Sequence, residues 1–93
     1  IGVTDLVFAT NFSGVQISVI GNYIAEHGWY TLRAYNEATL NVRNNTIQTG
    51  VNRVALLDSP GPHHFQCNFF DDGSPVAPDD VAGGGSRLFE QCE

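Results

Sequence analysis

The stretch Val42-Arg43-Asn44-Asn45-Thr46-Ile47-Gln48-Thr49-Gly50 (VRNNTIQTG) has two relatives in its own chain, VIGNYIAEHG at 19–28 and FQCNFFDDG at 65–73. Their central asparagines, Asn22, Asn45 and Asn68, are each 23 residues apart. The neighbouring columns agree. Ile17-x-Val19, Leu40-x-Val42 and His63-x-Phe65 precede the asparagine, and Ile24, Ile47 and Phe70 follow it by two. Apolar residues at a spacing of two mark a strand with one buried face. An Asn between two such strands suits a bend, since it tolerates left-handed backbone and its amide bonds nearby peptide groups. Stacked coils would place one amide above the next as a structural ladder.

Gly28, Gly50 and Gly73 punctuate each repeat after its asparagine. Further alternating runs follow the first two. YTLRAYN offers Leu32, Ala34 and Asn36, and RVALLD offers Val54, Leu56 and Asp58. LVFATN supplies Val7, Ala9 and Asn11 at a looser spacing. Aligned this way, Asn11, Asn36 and Asp58 form a polar ladder at a strand end. The outward positions become Thr31, Arg33, Tyr35, Arg53 and Leu57.

A fixed period with three short strands per repeat signals a solenoid, in which each repeat buries its apolar face only against its neighbours. Residues 1–73 are expected to form about three coils, and 74–93 a cap or degenerate final coil, with Leu88 and Gln91 standing 23 beyond Phe65 and Asn68. A leucine-rich-repeat interaction module is the competing fold, because LNVRNNTI fits L-x-L-x-x-N-x-L. Against it, the leucine normally found three positions upstream is replaced by Gly14, Glu37 and Pro60.

The pattern resembles the right-handed parallel β-helix of the pectin-lyase-like superfamily, including its stacked asparagines. That resemblance implies an all-β fold. It further implies a carbohydrate-active protein outside the cell, a polysaccharide lyase, hydrolase, epimerase or transferase, with an extended sugar chain lying along one strand column. On that column Trp29, Tyr30, Arg33, Tyr35 and Arg53 are the candidate substrate-binding residues, since aromatic faces and guanidinium groups suit sugar rings and uronate carboxylates. A non-enzymatic structural or adhesive solenoid is the alternative.

No catalytic set is evident. Glycoside hydrolysis needs two carboxylates across the scissile bond, but Asp71 and Asp72 are adjacent before Gly73 and read as turn residues. Glu26-His27 is read as a loop pair and a candidate acid–base couple, with nothing convergent beside it. Lyases of the resembled superfamily commonly use an arginine or lysine base near calcium carboxylates, whereas this chain has four Arg, no Lys and no arginine in an acidic cluster. His63-His64 point apart on a strand and lack a third ligand, so His63 is expected as a hydrogen-bonded core residue, with no metal and no cofactor.

The net charge of −6 argues against a nucleic-acid partner. No apolar run reaches the roughly 18 residues of a membrane span, and these residues are not expected to include a signal peptide. Cys67 and Cys92 are expected to pair and tie the tail to the last repeat, in keeping with a secreted or cell-surface location. Asn11-Phe12-Ser13 and Asn44-Asn45-Thr46 match the short N-glycosylation pattern. The chain lacks methionine and starts at Ile1 within an apolar pattern. The expectation is a C-terminal piece whose first coil meets upstream coils or a stacked subunit.

Overall fold

The computed structural model describes residues 6–10, 15–25, 30–50, 53–90 and 92. They form a parallel β-solenoid. The first coil contains β1 (Leu6–Thr10), β2 (Gln16–Ile20) and β3 (Tyr23–Ile24). The second contains β4 (Tyr30–Asn36), β5 (Thr39–Arg43) and β6 (Thr46–Ile47). The third contains β7 (Arg53–Asp58), β8 (His63–Gln66) and β9 (Phe69–Phe70). A 3₁₀ turn, Pro78–Asp80, leads into β10 (Val81–Ala82) and β11 (Arg87–Glu90) of a partial fourth coil. The strands stack into three sheets, ordered β1-β4-β7-β10, β11-β8-β5-β2 and β3-β6-β9. No α-helix occurs among the described residues, and three parallel sheets exclude the leucine-rich architecture.

The asparagine-centred alignment is the true register. Ile17 pairs with Leu40, Val19 with Val42 and Val42 with Phe65, while Ile24, Ile47 and Phe70 stack in the third sheet. Leu40, Val42, Ile24 and Ile47 are fully buried. Burying such a side chain contributes about 1.5–3 kcal/mol.

The first sheet departs from the sequence alignment by one residue. Leu32 pairs with Ala55 and Ala34 with Leu57, not with Val54 and Leu56, so the 23-residue period holds here too. In the first coil Phe8 meets Ala34, and Val7, expected inside, is 57% exposed. Leu57, expected outside, is buried, and so is Thr31, whose hydroxyl has no hydrogen-bond partner among the described residues. Packing decides this register. The second coil offers Leu32 with Ala34 and the third Ala55 with Leu57, so between these two coils a large side chain lies over a small one and the narrow interior fills evenly. The slip separates the expected polar ladder. Tyr35 pairs with Asp58, while Asn36 pairs with Thr10, and Asn11 lies outside the described residues.

The asparagine ladder forms, with its backbone reading shifted by one position. The left-handed residues are the ones before the rungs, Gly21, Asn44 and Cys67, with φ of 71°, 58° and 57°. Each left-handed residue turns the chain so that the next side chain points inward. Asn45 Nδ2 donates to the Val19 carbonyl (2.8 Å) and to Asn68 Oδ1 (2.9 Å). Its Oδ1 accepts from the Asn22 backbone N–H (3.0 Å) and from Asn22 Nδ2 (3.3 Å). Both amide hydrogens and both lone pairs are thereby used. Asn68 repeats the arrangement, accepting from the Asn45 N–H and donating to the Val42 carbonyl.

The end of the solenoid is closed by several devices. After Gly73 the chain folds back, Pro75 bridges Phe69 in antiparallel sense, and the Val76 N–H donates to the Asn68 carbonyl. Phe89 stacks on Phe65 with ring centroids 4.8 Å apart. The final strand is offset by 24 residues, not 23, so Phe89 takes the inward place and Leu88, paired with His64, is 51% exposed. Gln91 lies outside the described residues. Arg87 turns its guanidinium onto the carbonyls of Val81, Gly83 and Gly85. Cys67 and Cys92 form a disulfide, Cα–Cα 4.9 Å. With Phe89 over Phe65, Cys92 stands 24 residues after Asn68, where the next ladder rung would fall.

Candidate functional site

The outer face of the first sheet collects most of the expected binding residues. Tyr30 lies beside Arg53 in the register, and Arg33 beside Val7 and Leu56. Alternation puts Arg33 and Tyr35 on one face of β4. The Arg33 guanidinium sits 4.9 Å from the Tyr30 ring centroid and donates to the Tyr35 hydroxyl at 3.2 Å. The three side chains form one half-buried platform with a fixed cation between two aromatics. A cation over a partly desolvated ring is worth about 0.5–2 kcal/mol.

Arg53 is not part of that platform. Its guanidinium donates to the Asp79 carbonyl and so pins the 3₁₀ turn onto β7. Trp29 lies outside the described residues. The register adds members that alternation alone did not find, namely Val7, Leu56 and Asp58. Asp58 neighbours Tyr35 across the strands and is exposed. Among the described outward residues of this sheet it is the single carboxylate, so those residues alone do not supply an acid–base pair of the glycosidase kind. The signal for these members was Ala55, whose small size opposite Leu32 fixes the register.

The other candidates resolve into structural roles. Asp71 accepts from the Thr49 N–H (3.2 Å) and the Tyr23 hydroxyl (3.3 Å). Asp72 accepts from the Ser74 N–H (2.9 Å) and hydroxyl (2.6 Å), and the hydroxyl bond above all lowers its pKa. Both are turn residues. Glu26 and His27 lie outside the described residues. Among the described residues no three His, Cys, Asp or Glu side chains converge as metal ligands. A cavity of about 440 Å³ opens between the last coil and its return loop, lined by Phe65, Phe69, Val76 and Phe89. It marks the tapering end of the core.

Among the described residues His63 is the one buried imidazole. It is fully buried, and its Nδ1 accepts the Leu40 N–H at 3.0 Å. The ring proton therefore resides on Nε2, which lies 3.2 Å from both the hydroxyl and the carbonyl of Ser59. Because Nε2 carries the proton, His63 is not a base toward Ser59, and the pair is not a nucleophile–base couple. Gly85 packs over the ring, and a Cβ there would meet Nε2 at 3.0 Å. Burial lowers the pKa of His63 from 6.5, and the charge of Arg87 adds to the effect.

The folded protein keeps this imidazole neutral where the unfolded chain takes up a proton. His63 therefore contributes stability that is present above pH 6.5 and is lost as pH falls toward its depressed folded-state pKa. Urea unfolding should show stability rising with pH below 6.5, by up to about 1.4 kcal/mol per pH unit, and His63→Gln should flatten that slope. An equally steep slope in the variant would show that other groups titrate.

No protein-family model, curated protein or solved structure matches the chain. No helix among the described residues is long and apolar enough to cross a membrane.

Proposed function

We propose that this solenoid is part of an extracellular carbohydrate-active β-helix protein of the pectin-lyase-like kind, and that its own role is to bind an extended polysaccharide along the first sheet. The Tyr30–Arg33–Tyr35 platform carries the reading. Two tyrosines held around a guanidinium suit the apolar faces and polar edges of sugar rings, and a uronate carboxylate suits the cation. Parallel coils at one residue per rung continue the surface along the solenoid axis. The disulfide is consistent with an oxidising compartment and a secreted or cell-surface site.

A non-enzymatic, adhesive solenoid is favoured by one observation, that Asp58 is the single carboxylate among the described outward residues of that face. Binding is therefore assigned to these residues and catalysis is not. At the other end, β1, β2 and β3 are the edge strands of their sheets. Natural proteins blunt or cover exposed strand edges, and further coils or a stacked subunit are the proposed cover.

Affinity electrophoresis against a polyuronate and a neutral glucan tests the reading. Arg33→Ala should weaken polyuronate binding about tenfold, equal to about 1.4 kcal/mol. Asn41→Ala, on the second sheet, should leave binding unchanged. Equal retardation of wild type and Arg33→Ala, or none by either polymer, would overturn it.

A further inference from the structure

We propose that Asn44 is an acceptor for an N-linked oligosaccharide. The pattern Asn44-Asn45-Thr46 offers two neighbouring amides, and the fold treats them oppositely. Asn45 is 1% exposed, with its amide wholly committed to the ladder. Asn44 is exposed and makes no side-chain hydrogen bond to any described residue. The pattern places the modification on the amide that the fold leaves unused.

Neither Asn44 nor Thr46 is demanded by the solenoid. The left-handed place of Asn44 is filled by Gly21 in the coil before and by Cys67 in the coil after, so the turn needs no amide there. Thr46 stacks between Tyr23 and Phe69. Its hydroxyl makes no hydrogen bond to a described residue, and valine would serve a strand equally well. Two residues that the fold does not require are thus the two that glycan transfer requires. A glycan here would stand on the turn between the second and third sheets, clear of the first-sheet platform and of the ladder.

The donor is an oligosaccharide carried on a lipid pyrophosphate. Asn44 Nδ2 bonds to the anomeric carbon as the carbon–oxygen bond to the pyrophosphate breaks. The lipid pyrophosphate leaves with that electron pair, and the amide gives one proton to a base of the transferase. The secretory location proposed above makes the donor accessible. The test imposes entry into that compartment, so its outcome is independent of the natural location and of polysaccharide binding.

The chain is translated behind a cleavable leader into microsomes, and protease protection reports entry. A protected, heavier species is expected. A peptide amidase should remove the added mass and leave Asp at position 44, read by mass spectrometry. Thr46→Val and Asn44→Gly should each abolish the modification at that site, while Asn11→Gln should retain it. Asn44→Gly keeps the left-handed turn, and the Cys67–Cys92 bond on a non-reducing gel should show that it folds. Protected chains with unmodified Asn44, or added mass carried at Asn11 alone, would overturn the proposal.

Discussion

Replacing Asn45 by alanine should lower the unfolding free energy by about 3 kcal/mol, whereas Asn41→Ala should change it by no more than about 0.5 kcal/mol. The two asparagines lie four residues apart, yet Asn41 faces outward and is half-buried. Asn45 makes four side-chain hydrogen bonds across three coils. Its removal strands the Val19 carbonyl and withdraws one of the two donors to Asn68 Oδ1 in a site closed to water. A buried group left unpaired costs about 1–3 kcal/mol, and the lost donor to Asn68 adds to that. Asn45→Asp sharpens the test. An ionised carboxylate there has no proton for Val19 and faces Asn68 Oδ1, so that variant should be weaker at neutral pH than in acid. Urea unfolding of the three variants measures this. Equal losses for Asn45→Ala and Asn41→Ala would mean that the amide column contributes nothing.

Opening the Cys67–Cys92 bond should cost about 3 kcal/mol, since it closes a loop of 25 residues' separation in the unfolded chain. The effect extends into the native state, because the disulfide stands where the amide ladder ends. The last strand, β11, carries the Phe89 ring that stacks on Phe65 and the Arg87 that binds three carbonyls. Both contacts weaken if the tail leaves. The suitable variant is Cys67→Gly with Cys92→Ser, because glycine keeps the left-handed φ of 57° without strain. Urea unfolding with and without reductant should separate wild type by about 3 kcal/mol and leave the variant unmoved. A shift under about 0.5 kcal/mol would mean that the stacked aromatics and the Arg87 hydrogen bonds hold the cap without the disulfide.

Much of the site was readable from alternation, and the misses share a cause. Arg33 and Tyr35 are two apart on one strand, so a common face followed directly. That Arg53 serves the 3₁₀ turn depended on the Asp79 carbonyl, which lies 26 residues on and has no sequence signature. Asp58 and Leu56 joined the face only once the register was known. The two candidate alignments of the first sheet differ by one residue and swap inside for outside. In that sheet both faces carry apolar side chains, so the pattern did not choose between them.

The sequence by itself determined the solenoid, its period and the amide ladder. A buried amide that must satisfy its neighbour above and below admits few substitutes, so the requirement is written as one residue at one spacing. It also determined His63 as an inward residue, because that position recurs in the column of Ile17 and Leu40. Tertiary structure alone decided the register of the first sheet, the 24-residue step of the last strand and the partners of Arg53 and Arg87. Those choices rest on volume and reach. Leu32 lies over Ala55 and Leu57 over Ala34, Phe89 must find Phe65, and the guanidinium groups of Arg53 and Arg87 go to the carbonyls that the folded loops bring near. Such fits are properties of pairs of distant residues, and no local pattern records them.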